Sequence, residues 1–261
     1  MATQITPKVF LIARPELLEG LAQYLAYIGA PDWETDPVSG AEIVAEAMGR
    51  LCYKSWKPDM NPNVKKIREG SAEYLQNIIK QKHGSVLEHN AYTFILADVS
   101  RVVTHELVRH RVGIGYSQES LRYVRLSRGL RYMMPACINE NPFARILFQE
   151  TMDMLESVQQ QLSDIFEIDS MTDFKKKKEL TSAFRRVAPI GLATHIGMTA
   201  NARTLRHIIE QRTSRHAERE IRDVFAQVGA LMMREVPALF SDYQLELVDG
   251  LPEFTTSHPK V

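Results

Sequence analysis

The densest group of chemically capable side chains lies between residues 109 and 123. Residues 109–111 read Arg-His-Arg, and after a glycine-containing loop residues 116–123 read Tyr-Ser-Gln-Glu-Ser-Leu-Arg-Tyr. Guanidinium groups present paired donors that fit phosphate oxygens, so basic side chains around a loop suit an anion pocket. The alternative is a solvated helix end, because arginine is also favoured near the negative end of a helix dipole.

A second basic group covers residues 201–216 and begins Asn-Ala-Arg-Thr-Leu-Arg-His. On an uninterrupted helix, one buried face would carry Leu205, Ile209, Arg212 and His216. A buried arginine is costly unless an anion meets it, so this pattern predicts a partner for Arg212. The candidates for that partner are a bound phosphate, Glu210 and Glu220. A helix break at residues 213–214 would weaken the argument.

A third group, His-Gly-Ser-Val-Leu-Glu-His at residues 83–89, joins a predicted helix to a predicted strand. Connecting loops of this kind often hold ligand-binding side chains. Taken alone, His83 and His89 are more typical of ordinary polar loop residues.

Other kinds of site are disfavoured by the sequence. Lys plus Arg and Asp plus Glu both number 32, so the zero net charge does not favour a nucleic-acid or membrane surface. His105 and His110 are five positions apart, about 140° around a helix, so they cannot share a metal ion, and no metal is expected. The glycine patterns of Rossmann domains and P-loops are absent, as is the nucleophile pattern GxSxG.

The two cysteines indicate the compartment. Cys52 and Cys137 are too few for a disulfide framework, which favours a reducing cytoplasm. No apolar run approaches a membrane span, so a soluble, intracellular protein is expected. Cys52 is expected to be a buried residue on the apolar face of a helix.

Hydrophobic patterns predict both strands and helices along the chain. Strands are predicted at residues 9–13, 91–99 and 123–133. Helices are predicted at residues 15–28, 41–53, 64–82, 101–112, 143–166, 173–187, 201–212 and 216–234, with Ser100 as the N-cap of the helix at 101–112. Since no repeat or linker separates these segments, the sequence predicts one α+β domain.

Together, the three groups resemble the flavin-dependent thymidylate synthases over about residues 40–240. The family signature is Arg-His-Arg, a short spacer, then Ser and Arg-Tyr, which here is residues 109–111, eight residues, and residues 120–123. His-Gly-Ser-Val-Leu-Glu-His lies upstream, and the two segments NARTLRH and RTSRHAEREI lie downstream, in the family order. The resemblance implies the thymidylate synthase-complementing fold, a central mostly antiparallel sheet flanked by helices. The domain is expected at residues 36–245, after an N-terminal extension at 1–35 and before a tail at 246–261.

The resemblance also implies roles for individual residues. The nucleotide dUMP is expected to contact Glu106, Arg109, Gln118, Glu119, Ser120, Leu121, Arg122, Arg185 and Arg212. FAD is expected to contact His83, Ser85, Glu88, Arg109, His110, Arg111, Asn201, Arg203, His207 and His216. The residues expected nearest the chemistry are Arg109, Ser120 and Arg212. Ser120 is assigned to binding, because no histidine or lysine stands beside it in the motif to activate it as a nucleophile.

The activity implied is reductive methylation of dUMP to dTMP, with methylenetetrahydrofolate as carbon donor, NADPH as reductant and FAD as cofactor. Family members form homotetramers with active sites at subunit interfaces. A related flavoenzyme that methylates UMP or another uracil nucleotide would carry the same motifs. Two hypotheses without flavin chemistry are a nucleic-acid-binding module, which the balanced charge disfavours, and a structural protein without activity.

Overall fold

The computed structural model describes residues 1–36, 39–56, 60–64, 66–126, 129–259 and 261. The described strands are β1 (Thr3–Ile5), β2 (Lys8–Ala13), β3 (Ala91–Ser100), β4 (Ile114–Gln118), β5 (Arg131–Met133), β6 (Ala193–Asn201), β7 (Tyr243–Val248) and β8 (Leu251–Thr256). The described α-helices are α1 (Gly20–Tyr27), α2 (Gly40–Tyr53), α3 (Ser71–Lys80), α4 (Arg101–Leu107), α5 (Ala136–Asn139), α6 (Pro142–Ile165), α7 (Phe174–Phe184), α8 (Ala202–Thr213) and α9 (Arg219–Glu235). Short 3₁₀ helices lie at Gly84–His89, Arg185–Val187 and Pro237–Phe240. This mixture confirms the predicted α+β fold.

Two helices next to the candidate residues begin at capping side chains. Ser100 accepts a hydrogen bond from the N–H of Val103 at 3.3 Å and starts α4, as predicted. Asn201 accepts from the N–H of Thr204 at 2.8 Å and starts α8. An N-cap residue has extended backbone geometry, so the same residue can end a strand. The chain therefore passes directly from β3 into α4 and from β6 into α8.

The four-stranded sheet has the strand order β2-β3-β6-β4. Along β3 and β6, the hydroxyl of Thr93 lies 3.0 Å from that of Thr199, whereas the N–H of Asp98 donates to Nδ1 of His195 at 3.1 Å. Residue numbers rise along one strand as they fall along the other, so the two strands are antiparallel. β4 is hydrogen-bonded to β6 in the same sense. β7 and β8 form an antiparallel hairpin, and β1 and β5 pair in parallel. The mostly antiparallel sheet is confirmed.

The chain folds as two compact units. The first unit consists of Met1–Lys8, Ile95–Arg109 and Tyr116–Gly197, and the second of Val9–Phe94, His110–Gly115 and Met198–Val261. The first unit has a buried apolar cluster of Leu126, Leu130, Tyr132, Met134, Met152 and Leu192. In the second unit, α8 and α9 bury Leu205, Ile208, Ile209, Ile221, Val224, Phe225 and Val228.

Several predicted elements have different bounds in the structure. The helix predicted at 101–112 ends at Leu107 and is followed by β4. The helix predicted at 64–82 begins only at Ser71. The strand predicted at 123–133 is limited to β5, and residues 127–128 within it lie outside the described part. β6 and the β7-β8 hairpin were not predicted. β6 contains alanine, glycine and methionine among its residues, so its extended state depends on pairing with neighbouring strands more than on local propensity.

Arg206 on α8 anchors the β7-β8 hairpin of the second unit. Its side chain is 1% exposed and donates to both carboxylate oxygens of Asp242, each at 2.8 Å. The guanidinium carbon also lies 4.8 Å from the ring centre of Tyr243, within reach of a cation–π interaction. Burial raises the pKa of Asp242, but hydrogen bonds from Arg206 and Thr256 outweigh this effect, so the pKa lies below its ordinary value. The pair is therefore charged, and it ties the hairpin to α8.

Replacing Asp242 with alanine should lower the free energy of unfolding by about 3 to 5 kcal/mol, because it leaves a buried guanidinium without its carboxylate. Urea denaturation measures the change. Glu246→Ala is the matched control, since this carboxylate is 73% exposed and lies 3.4 Å from Arg215. The control should lose less than about 1 kcal/mol. Equal losses in the two variants would contradict an anchoring role for the buried pair.

Candidate active site

The first turn of α8 holds the end of the Arg-His-Arg segment in the second unit. The N–H of Asn201 donates to the carbonyl of Gly113 at 3.2 Å. The hydroxyl of Thr204 donates to the carbonyl of Val112 at 2.9 Å. Because the side chain of Asn201 also caps the helix, the same two residues, Asn201 and Thr204, fix both the start of α8 and the position of residues 112–113.

Gly113 is required where these two segments touch. Its φ of +68° lies in the left-handed region, which residues with a Cβ atom rarely adopt. A Cβ atom there would lie 2.5 Å from Nδ2 of Asn201 and from Oγ1 of Thr204. The backbone of the basic segment can approach α8 this closely only without a side chain at position 113.

The segment at residues 83–89 contacts the same turn of α8. The N–H of Ala202 donates to the carbonyl of Asn90 at 2.8 Å, and Nη1 of Arg203 lies 2.5 Å from Oε1 of Glu88. A Cβ atom on Gly84 would lie 2.8 Å from Nε of Arg203. Residues 112–113 and the segment that ends at Asn90, which are far apart in the sequence, therefore meet at one helix turn.

The two histidines of this region are placed differently. His83 is half-buried, stacks on Tyr53 with ring centres 5.3 Å apart and is hydrogen-bonded to the Tyr53 hydroxyl. His110 is half-buried and lies edge-on to His207, with ring centres 6.2 Å apart. Nε of Arg212 donates to Nε2 of His110 at 2.8 Å. Burial lowers the pKa of His110 to about 4, and electrostatic interactions with Arg212 and His207 act in the same direction. His110 is therefore neutral at physiological pH.

The predicted buried stripe on α8 is wrong at its far end. The helix stops at Thr213, so His216 does not continue the stripe and is exposed. Thr213 is buried, and its hydroxyl oxygen accepts from the N–H of Phe254 in β8 at 3.0 Å. The Arg215 that follows binds Glu253 of the same strand. The hairpin thus binds the chain at Thr213 and Arg215. On α8, Arg206 is buried and Arg212 is half-buried.

In the first unit, the loop after β4 is held by hydrogen bonds to its own backbone and to β6. The N–H of Glu119 donates to the carbonyl of His195, and the N–H of His195 donates back to Oε2 of Glu119, both at 3.1 Å. The hydroxyl oxygen of Ser120 accepts from the N–H of Arg122 at 3.3 Å. Ser120 therefore closes a turn, and Gln118 is held by Thr104 at 3.2 Å.

The remaining candidate residues are distributed over both units. Exposed side chains belong to Ser85, Glu88, Arg109, Arg111, Arg122, Arg185, His207 and His216. Half-buried ones belong to Glu106, Leu121, Asn201 and Arg203. Of the residues assigned to FAD, all but Arg109 lie in the second unit, and of those assigned to dUMP, all but Arg212 lie in the first.

Residues around Arg101 in the first unit are absent from the sequence-based site. Asp98 has φ +57° within β3, and its Oδ2 binds Arg131 at 2.6 Å. Nη2 of Arg101 donates to the carbonyl of Glu119 at 3.2 Å, which brings a further guanidinium beside the loop. The N–H of Asp98 also donates to His195 of β6. Because β6 was not predicted, no sequence pattern indicated that these residues lie together.

The described residues contain neither a metal cluster nor a membrane span. Among them, no three His, Cys, Asp or Glu side chains are grouped so as to hold a metal ion. No helix built from the described residues is long and apolar enough to cross a membrane.

Replacing Gly113 with alanine should lower the free energy of unfolding by about 1 to 3 kcal/mol, because of the positive φ and the two close atoms of α8. Gly115→Ala is the matched control, since a Cβ atom there meets nothing within 4 Å. This control should keep the stability or raise it by up to about 1 kcal/mol. Urea denaturation compares the three proteins, and an unchanged stability of Gly113→Ala would rule out the close approach of residue 113 to α8.

Comparison with known proteins identifies the family. The family model described as thymidylate synthase complementing protein matches residues 35–238. The flavin-dependent thymidylate synthase of Corynebacterium glutamicum is 36% identical over 229 residues, covering 84% of this chain and 86% of that protein. The flavin-dependent thymidylate synthase of Mycobacterium tuberculosis is 34% identical over 236 residues, covering 88% of this chain and 91% of that protein.

Solved structures share the fold. A UMP/dUMP methylase, PolB, from Streptomyces cacaoi bound with 5-Br UMP superimposes with a TM-score of 0.62 at 16% identity, covering 91% of this chain and 94% of that one. The three motif groups that meet at α8 lie within the stretch that the family model matches. The chain belongs to the flavin-dependent thymidylate synthase family.

Proposed function

We propose that this chain converts dUMP to dTMP, with methylenetetrahydrofolate as the carbon donor, NADPH as the reductant and FAD as the bound cofactor. The observation that carries the proposal is the meeting of residues 112–113, which follow Arg-His-Arg, and of the segment that ends at Asn90 at the first turn of α8. Such convergence is expected when separate segments build one site, because ligand-binding loops are positioned by rigid elements.

The residues of the second unit fit a flavin by their chemistry. Arg111 and His207 are exposed and Arg203 is 43% exposed, so donors suited to a diphosphate or to an electron-rich ring face outward. Val112 is 87% exposed beside Arg111 and offers apolar surface to a planar ring system. Bound FAD would supply the hydride that completes the methyl group. We assign flavin binding to His83, Ser85, Glu88, Arg109, His110, Arg111, Asn201, Arg203, His207 and His216.

We assign the nucleotide to the loop after β4 and to four arginines. The reciprocal hydrogen bonds of Glu119 with His195 and the turn at Ser120 order this loop before any ligand arrives, which reduces the entropy lost on binding. The exposed guanidiniums of Arg122 and Arg185 suit the phosphate. The assigned residues are Glu106, Arg109, Gln118, Glu119, Ser120, Leu121, Arg122, Arg185 and Arg212.

Three side chains are assigned closest to the reacting uracil. Arg109 and Arg212 would stabilise negative charge that develops on the ring, because a fixed positive group is worth most in a water-poor site. Ser120 is assigned to binding, since its hydroxyl oxygen already accepts from the N–H of Arg122. These assignments require the protein to orient the substrate and not to attack it.

We also propose a homotetramer with active sites at its interfaces and a cytoplasmic location. Along α6, Phe143, Leu147 and Met154 are 85%, 66% and 58% exposed. Large apolar side chains repeated on one exposed helix are typical of a surface that another subunit covers. The catalytic domain is proposed at residues 36–245, between an N-terminal extension at 1–35 and a tail at 246–261.

A second candidate substrate is UMP, because the fold neighbour from Streptomyces cacaoi is named a UMP/dUMP methylase. The two substrates differ by one ribose hydroxyl, so the three motif groups suit either. A direct comparison of turnover decides between them.

The purified protein should be yellow, NADPH should bleach it without oxygen, and it should form dTMP from dUMP and methylenetetrahydrofolate. The motivation is the set of exposed cationic residues around α8. Chromatography of the nucleotide product, with each component left out in turn, measures the requirement. Turnover of dUMP without FAD or NADPH would contradict the proposal, and a higher kcat/KM for UMP would select the second candidate.

The cysteines should not be needed for this reaction. Both Cys52 and Cys137 are exposed, so the expectation that Cys52 is buried is wrong. Cys52 lies in the last turn of α2, whose buried face is formed by residues such as Ala45 and Ala47. Flavin supplies the electrons and the arginines act on the ring, so no thiol is required to attack the uracil.

The double variant Cys52→Ser, Cys137→Ser should keep dTMP formation within about tenfold of the parent, which corresponds to about 1.4 kcal/mol. Flavin content and melting temperature are recorded as controls for folding. A folded, flavin-loaded double variant with activity reduced a thousandfold would instead indicate a cysteine nucleophile.

A further inference from the structure

One hydrogen bond in the second unit has no role in the proposed binding of flavin and nucleotide. Nε of Arg212 donates to Nε2 of His110 at 2.8 Å. His110 is half-buried, so the bond is partly shielded from water and is stronger than it would be at the surface. A ring nitrogen that accepts a hydrogen bond carries no proton, so neutral His110 holds its proton on Nδ1.

The bond depends on the charge state of His110. Burial lowers the pKa of His110 to about 4, assisted by electrostatic interactions with Arg212 and His207. Protonation would place a hydrogen on Nε2 and remove the acceptor. The bond is therefore present at neutral pH and is lost as the pH falls toward about 4.

Arg212 needs an external group to hold it. It stands next to Thr213, the last residue of α8, where the helix gives little restraint to a long side chain. An arginine side chain has several rotatable bonds, and ordering them costs free energy each time a ligand binds. An acceptor at Nε fixes the guanidinium plane in advance.

We infer that His110 is a positioning residue for the reaction, whose Nε2 orients the guanidinium of Arg212 toward the uracil nucleotide. This inference rests on the proposed function, in which Arg212 contacts the nucleotide. It also changes the role of His110 in the flavin site, since the imidazole is directed to Arg212 and a flavin contact would be made by the backbone.

The test compares two substitutions at one position. In His110→Leu no acceptor remains, and kcat/KM for dUMP should fall by about tenfold to a hundredfold, as for the loss of a hydrogen bond to a charged group. In His110→Gln the amide oxygen reaches approximately the place of Nε2, and most of the loss should be recovered. In both His110 variants, flavin content and the Kd for FAD should stay within about threefold of the parent values. His105→Leu, at an exposed site on α4, is the matched control and should stay within about twofold of the parent.

A double-mutant cycle separates positioning from a structural role. If His110 acts through Arg212, His110→Leu should cost less than about twofold when added to Arg212→Ala, because the group it orients is gone. Additive losses in the double variant would overturn the inference. So would loss of flavin in His110→Leu with normal dUMP affinity, because that result makes the imidazole a flavin ligand. If His110→Leu does not fold, His110→Asn replaces it in the test. The asparagine side chain is too short for its amide to reach Nε of Arg212.

If the proposed function is wrong, the experiments give a different result from the one expected if only the role of His110 is wrong. A parent protein that neither binds nor methylates dUMP would reject the substrate assignment alone. The same cycle measured on the melting temperature would then still report the coupling between His110 and Arg212. Additive changes in the melting temperature would reject the contact itself.

Discussion

The part of the candidate site that lies in the second unit depends on the first turn of α8. Asn201 caps the helix and at the same time fixes the carbonyl of Gly113, while Ala202 and Arg203 hold the segment that ends at Asn90. Each of these contacts involves a backbone group or a charged side chain that would be costly to leave unpaired. The turn therefore orders three separate parts of the chain at once, and a substitution in any one of them is expected to shift the others.

Two arginines on α8 have different tasks because of what meets them. Arg206 is fully buried and is matched by the carboxylate of Asp242, so it stabilises the fold and fastens the hairpin. Arg212, near the end of the helix, is half-buried and donates to a neutral imidazole. The hairpin links the two, since Phe254 binds the hydroxyl of Thr213 and helps to end α8 beside Arg212. The anchored hairpin thus fixes the end of α8 next to Arg212.

Much of the local structure followed from residue patterns. Ser100 was predicted as the cap of α4, and the long amphipathic helices α2, α6 and α9 lie close to their predicted bounds. These predictions succeeded because capping and helical periodicity are decided within a few residues. β4 and β6 were missed because their sequences contain glycine and polar residues, and hydrogen bonds from neighbouring strands keep them extended.

The sequence by itself determined which residue types were available and the family, through three short motifs in a fixed order. It also predicted a partner for Arg212, on the assumption that the helix continues to His216. Only the tertiary structure decided that this partner includes His110, that His216 is exposed, and that Cys52 is exposed. The physical reason is that a helix end and a long-range hydrogen bond depend on segments from distant parts of the chain. Local residue patterns do not show which distant segments will pack together.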